Sequence, residues 1–175
     1  RNKMTSYSIG CTIIEKFSSE GYTAYFAGGW VRDFLMNHPS DDIDIATNAS
    51  VNDVQKLFAK TIPVGINFGI IIVVENGHQF EVATFRKDQG YIDGRRPSGI
   101  EKSNPQEDAK RRDFTINGMF YDPIKKQLFD FVNGQEDIKM QVIRAIGNPH
   151  ERFLEDRLRM IRAVRYASRF NFSIE

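Results

Sequence analysis

Apolar residues first recur at Ile9, Ile13, Ile14 and Phe17. That spacing of i, i+4, i+5 and i+8 lines one face of a helix and predicts one over residues 8–17, with Gly21 placed to end it. Residues 22–27 are β-favouring and short, then come Gly28-Gly29, then 30–36, where Val31, Phe34 and Leu35 return to helical spacing. The prediction is strand, glycine turn, helix. In Asp42-Ile43-Asp44-Ile45 acid alternates with isoleucine, so a strand there turns both isoleucines to one face and both aspartates to the other. Ser50, with Asp53 three residues on, predicts a capped helix leading into Val54, Leu57 and Phe58. Beyond Pro63 the runs 68–74 and 79–85 flank Glu75-Asn76-Gly77-His78, whose Asn-Gly signals a hairpin of two antiparallel strands.

Periodicity fades from 87 to 107 among Gly90, Gly94, Pro97, Gly99 and Pro105, which predicts a surface loop. A helix is expected from about 106 to 118 and short strands at 128–132 and 142–146. Pro149 then opens a long amphipathic helix to about 170. No internal repeat appears.

At 175 residues one domain is the default, and 41% hydrophobic with 27% charged residues excludes a disordered tail or a fibrous repeat. The longest aliphatic run, at 70–74, stops at Glu75, far short of the roughly 20 residues of a membrane span. Residues 1–8 are polar with no apolar stretch behind them, so no secretory signal is expected, and a start at Arg1 rather than methionine suggests trimming. A single cysteine, Cys11, forms no internal disulfide and is expected to be a small buried thiol in a reducing, cytoplasmic setting. The net charge of +1 conceals an asymmetry. Arg157, Arg159, Arg162, Arg165 and Arg169 share a 13-residue window without a carboxylate, so a polyanionic partner is expected at this end.

Chemistry can be sought in two places. Asp42 and Asp44 on one strand face suit bridging divalent cations, or form an exposed acidic face. Gly28-Gly29 at a strand-to-helix turn would let backbone N–H groups approach a phosphate, or make a plain tight turn. Neither G-x-x-x-x-G-K-[ST] nor G-x-G-x-x-G occurs, no serine sits in a nucleophile elbow, and no cysteine–histidine pairing is seen. His38, His78 and His150 lack ligand spacing, so zinc is not expected and the histidines are read as solvent-exposed.

The segments Gly28-Gly29-Trp30-Val31-Arg32-Asp33, Asp41-Asp42-Ile43-Asp44-Ile45-Ala46-Thr47 and Arg111-Arg112-Asp113-Phe114-Thr115-Ile116-Asn117-Gly118-Met119 carry a resemblance. In order and spacing they resemble the class II (bacterial and eukaryotic) tRNA CCA-adding nucleotidyltransferases and their relative, the bacterial poly(A) polymerase. Asp130-Phe131-Val132-Asn133-Gly134-Gln135-Glu136-Asp137, Arg144-Ala145-Ile146-Gly147 and Arg152-Phe153-Leu154-Glu155-Asp156-Arg157-Leu158-Arg159 extend the match, which runs from about residue 21 to 170.

The resemblance implies an α/β (α+β) fold. Residues 1–146 would be a polymerase-β-like nucleotidyltransferase head with a mixed or antiparallel sheet flanked by helices. Residues 147–175 would begin a helical neck, without the family's body and tail. It implies that Asp42 and Asp44 hold two Mg²⁺ ions, one lowering the pKa of an RNA 3′-hydroxyl and both steadying charge on the α-phosphate and departing pyrophosphate. Glu81 is the candidate third carboxylate. Gly28, Gly29, Arg32 and Asp33 would face the triphosphate, for which the planar, permanently charged fork of arginine is suited. Arg112, Asp113 and Asn117 would serve the ribose. Were the other motifs missing, the helix carrying these three would read as an intrahelical salt-bridge set.

Asp156 and Arg159, three apart on a helix, would present an acceptor beside a fork of donors. Cytosine and adenine each offer an amino donor next to a bare ring nitrogen and fit that pair; uracil and guanine reverse the order. Side chains would thereby stand in for a template, with Arg162 and the arginines beyond it lining the nucleotide pocket or meeting RNA phosphates. The same spacing also suits an ordinary ion pair. Tyr91, Arg95 and Arg96 in the loop either touch the nucleotide or RNA end or decorate the surface. Arg157 stands where the family usually has proline, and Met119 where alanine is commoner. Segment 62–69 lacks the basic run of the poly(A) branch, which tilts the reading toward tRNA. The activity implied is transfer of CMP and AMP from CTP and ATP to a tRNA 3′ end. A-only or poly(A) addition, and a non-catalytic nucleotide- or RNA-binding fragment, are the alternatives. The pattern is silent on oligomeric state.

Overall fold

The computed structural model describes residues 5–38, 40–86, 103–147 and 157–175. The loop residues Tyr91, Arg95 and Arg96, the Pro149 start of the last helix, His150 and Asp156 lie outside the described residues.

Helix α1 (Ser6–Ser19) is capped by the Thr5 side chain, which accepts from the Ser8 N–H, and buries Ile9, Ile13, Ile14 and Phe17. The chain reverses at Gly21, φ +84°, where a side chain would be strained. Strand β1 (Ala24–Ala27) enters the glycine turn and α2 (Gly29–Leu35) leaves it. Strand β2 (Asp44–Thr47) begins at Asp44, so Asp42 precedes the strand; the alternation still holds, with Ile43 and Ile45 buried and both aspartates exposed. Ser50 caps α3 (Val51–Leu57), accepting from the Asp53 N–H. Strands β4 (Ile70–Glu75) and β5 (His78–Thr84) form the hairpin over Asn76 (φ 48°) and Gly77 (φ 77°). An unexpected strand, β3 (Thr61–Gly65), runs beside β4. Pro63 hid it, and is tolerated because β3 is an edge strand.

The expected helix over 106–118 is broken. Helix α4 (Pro105–Lys110) stops, Phe114 bridges to Ala145, and a 3₁₀ turn (Thr115–Asn117) follows. Phe114 and Ile116 are both fully buried, and that tertiary demand overrides helical continuity. Strand β6 (Phe120–Asp122) was not foreseen, and β7 (Gln127–Phe129) is shorter than the expected 128–132. Asp130 takes over there, its carboxylate accepting from the N–H groups of Val132, Gly134 and Gln135 to start α5 (Gly134–Met140). Strand β8 (Val142–Ile143), α6 (Arg157–Phe170) and β9 (Ser173–Ile174) complete the chain, β9 pairing in parallel with β8.

The seven-stranded sheet has the order β3-β4-β5-β2-β1-β6-β7, and only β2–β5 among its pairs is parallel. This is the mixed sheet flanked by helices that the resemblance implied. Alternate residues sort to its two faces. Phe26 and Ile45 join α1, α2 and α3 in the main core, while Ala27 and Ala46 meet Phe85, Ala109 and Phe120 on the other. A third cluster holds α6 through Ala163, Tyr166 and Phe170 against Phe114, Ile116 and Ile143. Cys11 is half-buried rather than buried, at the margin of the main core, and burial raises its thiol pKa. His78 is also half-buried, 3.0 Å from Ser6 Oγ, where exposure was expected. Among the described residues no helix is long and apolar enough to cross a membrane.

Candidate active site

The glycine turn is set between two guanidinium groups. Gly28 has φ +68°, and a Cβ there would stand 3.4 Å from Arg112 Nη1 and 3.9 Å from Asp44 Oδ2. A Cβ on Gly29 would stand 3.2 Å from Arg32 Nη2. Conformation favours glycine at position 28, and at 29 a side chain would press on the Arg32 guanidinium. The Gly28 N–H donates to the Met119 carbonyl at 3.4 Å, and α2 is a single short helix of seven residues.

Asp44 pairs in register with Glu81 across the parallel β2–β5 ladder and with Ala27 across β1, so both carboxylates project from the same sheet face. Asp42 lies two residues back on the same side. The carboxyl of Asp44 is pushed up to about 6, first by loss of hydration against neighbouring protein atoms, then by the charges of Glu81 and Asp42, with Arg112 opposing. The residue is exposed overall, so this partial dehydration concerns its carboxylate rather than the whole side chain. Three carboxylates therefore face one guanidinium. Among the described residues no group of three or more His, Cys, Asp or Glu side chains is placed to hold a metal ion, so a cation here would rest on fewer protein carboxylates. An open oxygen-donor set of this kind fits Mg²⁺, which takes one or two carboxylates and completes its shell with water and substrate phosphates.

Beyond Gly29, Arg32, Asp33 and Asn117 are buried, Asp113 is half-buried and Arg162 is exposed. Arg32, 4% exposed, donates through Nε to Asp33 at 3.0 Å and through Nη1 to Asn117 Oδ1 at 2.6 Å. Its guanidinium also lies 4.7 Å from the Phe170 ring centre and 5.2 Å from that of Tyr166, both on α6. Asn117 reaches Asp113 at 3.4 Å, and Asp113 reaches Arg162 Nε at 3.6 Å. A polar chain thus runs from α2 through the 3₁₀ turn to α6. Arg159 is half-buried on α6, three residues before Arg162.

Structure therefore gathers Gly28, Asp42, Asp44, Glu81 and Arg112 on one side of the turn and Gly29, Arg32, Asp33, Asn117, Asp113 and Arg162 on the other. The matching segment 130–137 supports this frame. A Cβ on Gly134 would lie 2.4 Å from the Thr115 carbonyl, so only glycine lets α5 abut the 3₁₀ turn. Asp137 then accepts from Thr115 Oγ1 at 2.6 Å and from Arg144 Nε at 3.1 Å. Sequence reasoning missed Asp108, which is salt-bridged to Arg111 and Arg112, and the pair Tyr166 and Phe170. The i+3 and i+4 spacing from Asp108 to the two arginines was the available signal.

Comparison with known proteins adds the following. The profile of the Poly A polymerase head domain family matches residues 24–144. The chain is similar to CCA-adding enzymes of Staphylococcus saprophyticus, 49% identical over 164 residues, and of Streptococcus mutans, 45% identical. Each match covers 93% of this chain and 41% of the relative, so the chain spans about two-fifths of their length. The crystal structure of the Bacillus stearothermophilus CCA-adding enzyme in complex with CTP superposes with a TM-score of 0.87 at 40% identity, covering 97% of this chain and 41% of that one. A tRNA nucleotidyltransferase complexed with a primer tRNA and an incoming ATP analog gives 0.76 at 29% identity, over 93% of this chain and 46% of that one.

Proposed function

The chain belongs to the Poly A polymerase head domain family, and from that premise we propose that it acts as a template-independent nucleotidyltransferase, adding CMP and AMP from CTP and ATP to the 3′ end of tRNA. The observation that carries this reading is the register of Asp44 beside Glu81, facing Arg112 across the Gly28 turn. It brings acidic side chains that would bind a cation and a guanidinium that would bind phosphate to one turn. Relatives named for CCA addition, and segment 62–69 without a basic run, favour tRNA over poly(A).

Asp42 and Asp44 would hold Mg²⁺, with Glu81 as the neighbouring third carboxylate; the ion's chemistry when bound is to neutralise developing negative charge and to ease ionisation of the attacking hydroxyl. Arg112 binds phosphate oxygens at the turn formed by Gly28 and Gly29. Arg32 and Asp33, expected to face the triphosphate, would instead hold that turn from beneath, since Arg32 already donates to Asp33 and Asn117, and Asp113 and Asn117 would serve the ribose. Asp156, Arg159 and Arg162 read the base on the helix that opens the neck, which we place at 147–175 behind a head at 1–146. The RNA 3′-oxygen bonds to the α-phosphorus as the bond from that phosphorus to the bridging oxygen breaks, the hydroxyl proton passes to solvent, and pyrophosphate leaves. We place the reaction in the cytoplasm, in keeping with a single unpaired cysteine.

The alternative is a nucleotide- or RNA-binding module without catalysis. Primer extension separates the two. tRNAs lacking their last three, two or one nucleotides are incubated with Mg²⁺ and each nucleoside triphosphate singly. Ordered growth by C, C and A is expected. Growth by A alone selects the A-adding relative, nucleotide binding without growth selects the second reading, and indifferent use of UTP and GTP overturns the base-reading assignment.

A further inference from the structure

Asp108 is 1% exposed and carries four donors on two oxygens. Oδ1 accepts from Arg112 Nε at 3.0 Å. Oδ2 accepts from the Arg86 backbone N–H at 2.9 Å and from Arg111 Nε and Nη2 at 3.3 and 3.2 Å. A carboxylate so deeply placed requires such partners, and in return it fixes theirs. Arg112 is the partner that matters for the site. Its Nε is tied to Asp108, its guanidinium carbon lies 5.1 Å from the Phe120 ring centre, and its Nη1 end reaches the Gly28 turn.

The restraint has an electrostatic purpose. Asp44, Glu81 and Asp42 lie on the same edge, and Arg112 already acts on Asp44. A loosely held arginine would close onto those carboxylates as an ion pair, cancelling the negative edge and the phosphate-binding fork together. An anchor on Nε leaves Arg112 near the acids but aimed at the turn, with its orientation set before any ligand arrives.

We infer that Asp108 is a positioning residue, which holds Arg112 so that its outer N–H groups meet a polyphosphate bound at the Gly28 turn. The identity of that anion as a nucleoside triphosphate rests on the function proposed above; the orientation of Arg112 does not. Two measurements on the whole chain keep these apart. In the ligand-free protein, the Arg112 Nε–H resonance is expected to be protected from exchange and to lose that protection in Asp108→Asn. Affinities for Mg²⁺-CTP and for inorganic tripolyphosphate are then measured for wild type, Asp108→Asn, Arg112→Lys and the double variant. Each single variant is expected to weaken both ligands about tenfold, the scale of one charge-assisted contact. The double variant should be no more than about twofold weaker than the worse single, because both changes break one link.

Unchanged Nε–H protection, unchanged affinity in Asp108→Asn, or fully multiplicative losses overturn the inference. Should Asp108→Asn fail to fold, the wild-type Arg112 Nε–H decides: free exchange of that proton in the ligand-free protein overturns the inference. Binding of tripolyphosphate but not CTP by the wild type sinks the nucleotide reading and leaves the positioning role standing. Binding of neither sinks both.

Discussion

The two sides of the Gly28-Gly29 turn are built from similar residue types under opposite conditions. On one side Asp42, Asp44 and Glu81 are exposed, crowd one another, and together outnumber the single guanidinium of Arg112. On the other, Arg32, Asp33 and Asn117 are buried, each charge meets its complement within 3.0 Å, and two aromatic rings of α6 cover the guanidinium. Resemblance to a family marks both sides equally, and only the structure separates them. The acidic side holds an unmet electrostatic demand, the condition for binding a cation. The arginine side is already satisfied, the condition for holding a frame.

Three substitutions or titrations sharpen that contrast, the largest effect first. Asp44→Asn should lower the rate of primer extension by about 10³-fold or more, the scale of losing a transition-state charge stabiliser, while leaving the melting temperature undiminished. A matching loss of stability would erase the distinction. Arg32→Ala should do the reverse. It strands the carboxylate of Asp33 and the carboxamide of Asn117 in a buried setting, at a cost of about 3 kcal/mol, and calorimetry should find the melting temperature lower by roughly 6–12 °C. A melting temperature within 2 °C or so of wild type would show that side to be no frame at all.

The smallest effect is a pH dependence. The folded-state pKa of Asp44 is raised from 3.8 to about 6, so the native chain binds this proton more tightly than the unfolded chain. The stabilisation is complete below the unfolded value and is lost as pH rises through the folded one. In metal-free buffer Asp44→Asn should therefore melt higher than wild type above pH 6, with the gap closing toward pH 4. Discounted for solvent screening to about 1 kcal/mol, the gap is roughly 2–4 °C, and adding Mg²⁺ should shrink it by stabilising wild type alone. A gap that widened on acidification would contradict the cause assigned to the shift.

Much of the frame was legible because it is local. The face of α1, the Ser50 cap, the Asn76-Gly77 turn and the alternation around Asp44 each follow from neighbours within a few positions. The failures are non-local. The break after Lys110 exists because Phe114 must reach Ala145, and β3 could not be inferred from a segment containing Pro63 without knowing that it lies at an edge. In the site, the aspartate pair and glycine turn were readable as candidates. Glu81 became one only through resemblance, since its place beside Asp44 depends on a parallel pairing. Nothing local distinguishes Arg111 from Arg112; the two oxygens of Asp108 divide them.

That parallel pairing has a consequence for how the protein comes into being. Asp44 meets Glu81 only through the β2–β5 ladder, which closes across the intervening helix and the β3–β4 excursion. Long-range ladders of this kind close late, since chain entropy must be overcome before they reward it. A chain grown only as far as β4 therefore has its turn and its first two acids but not the third, and Arg112 follows later still.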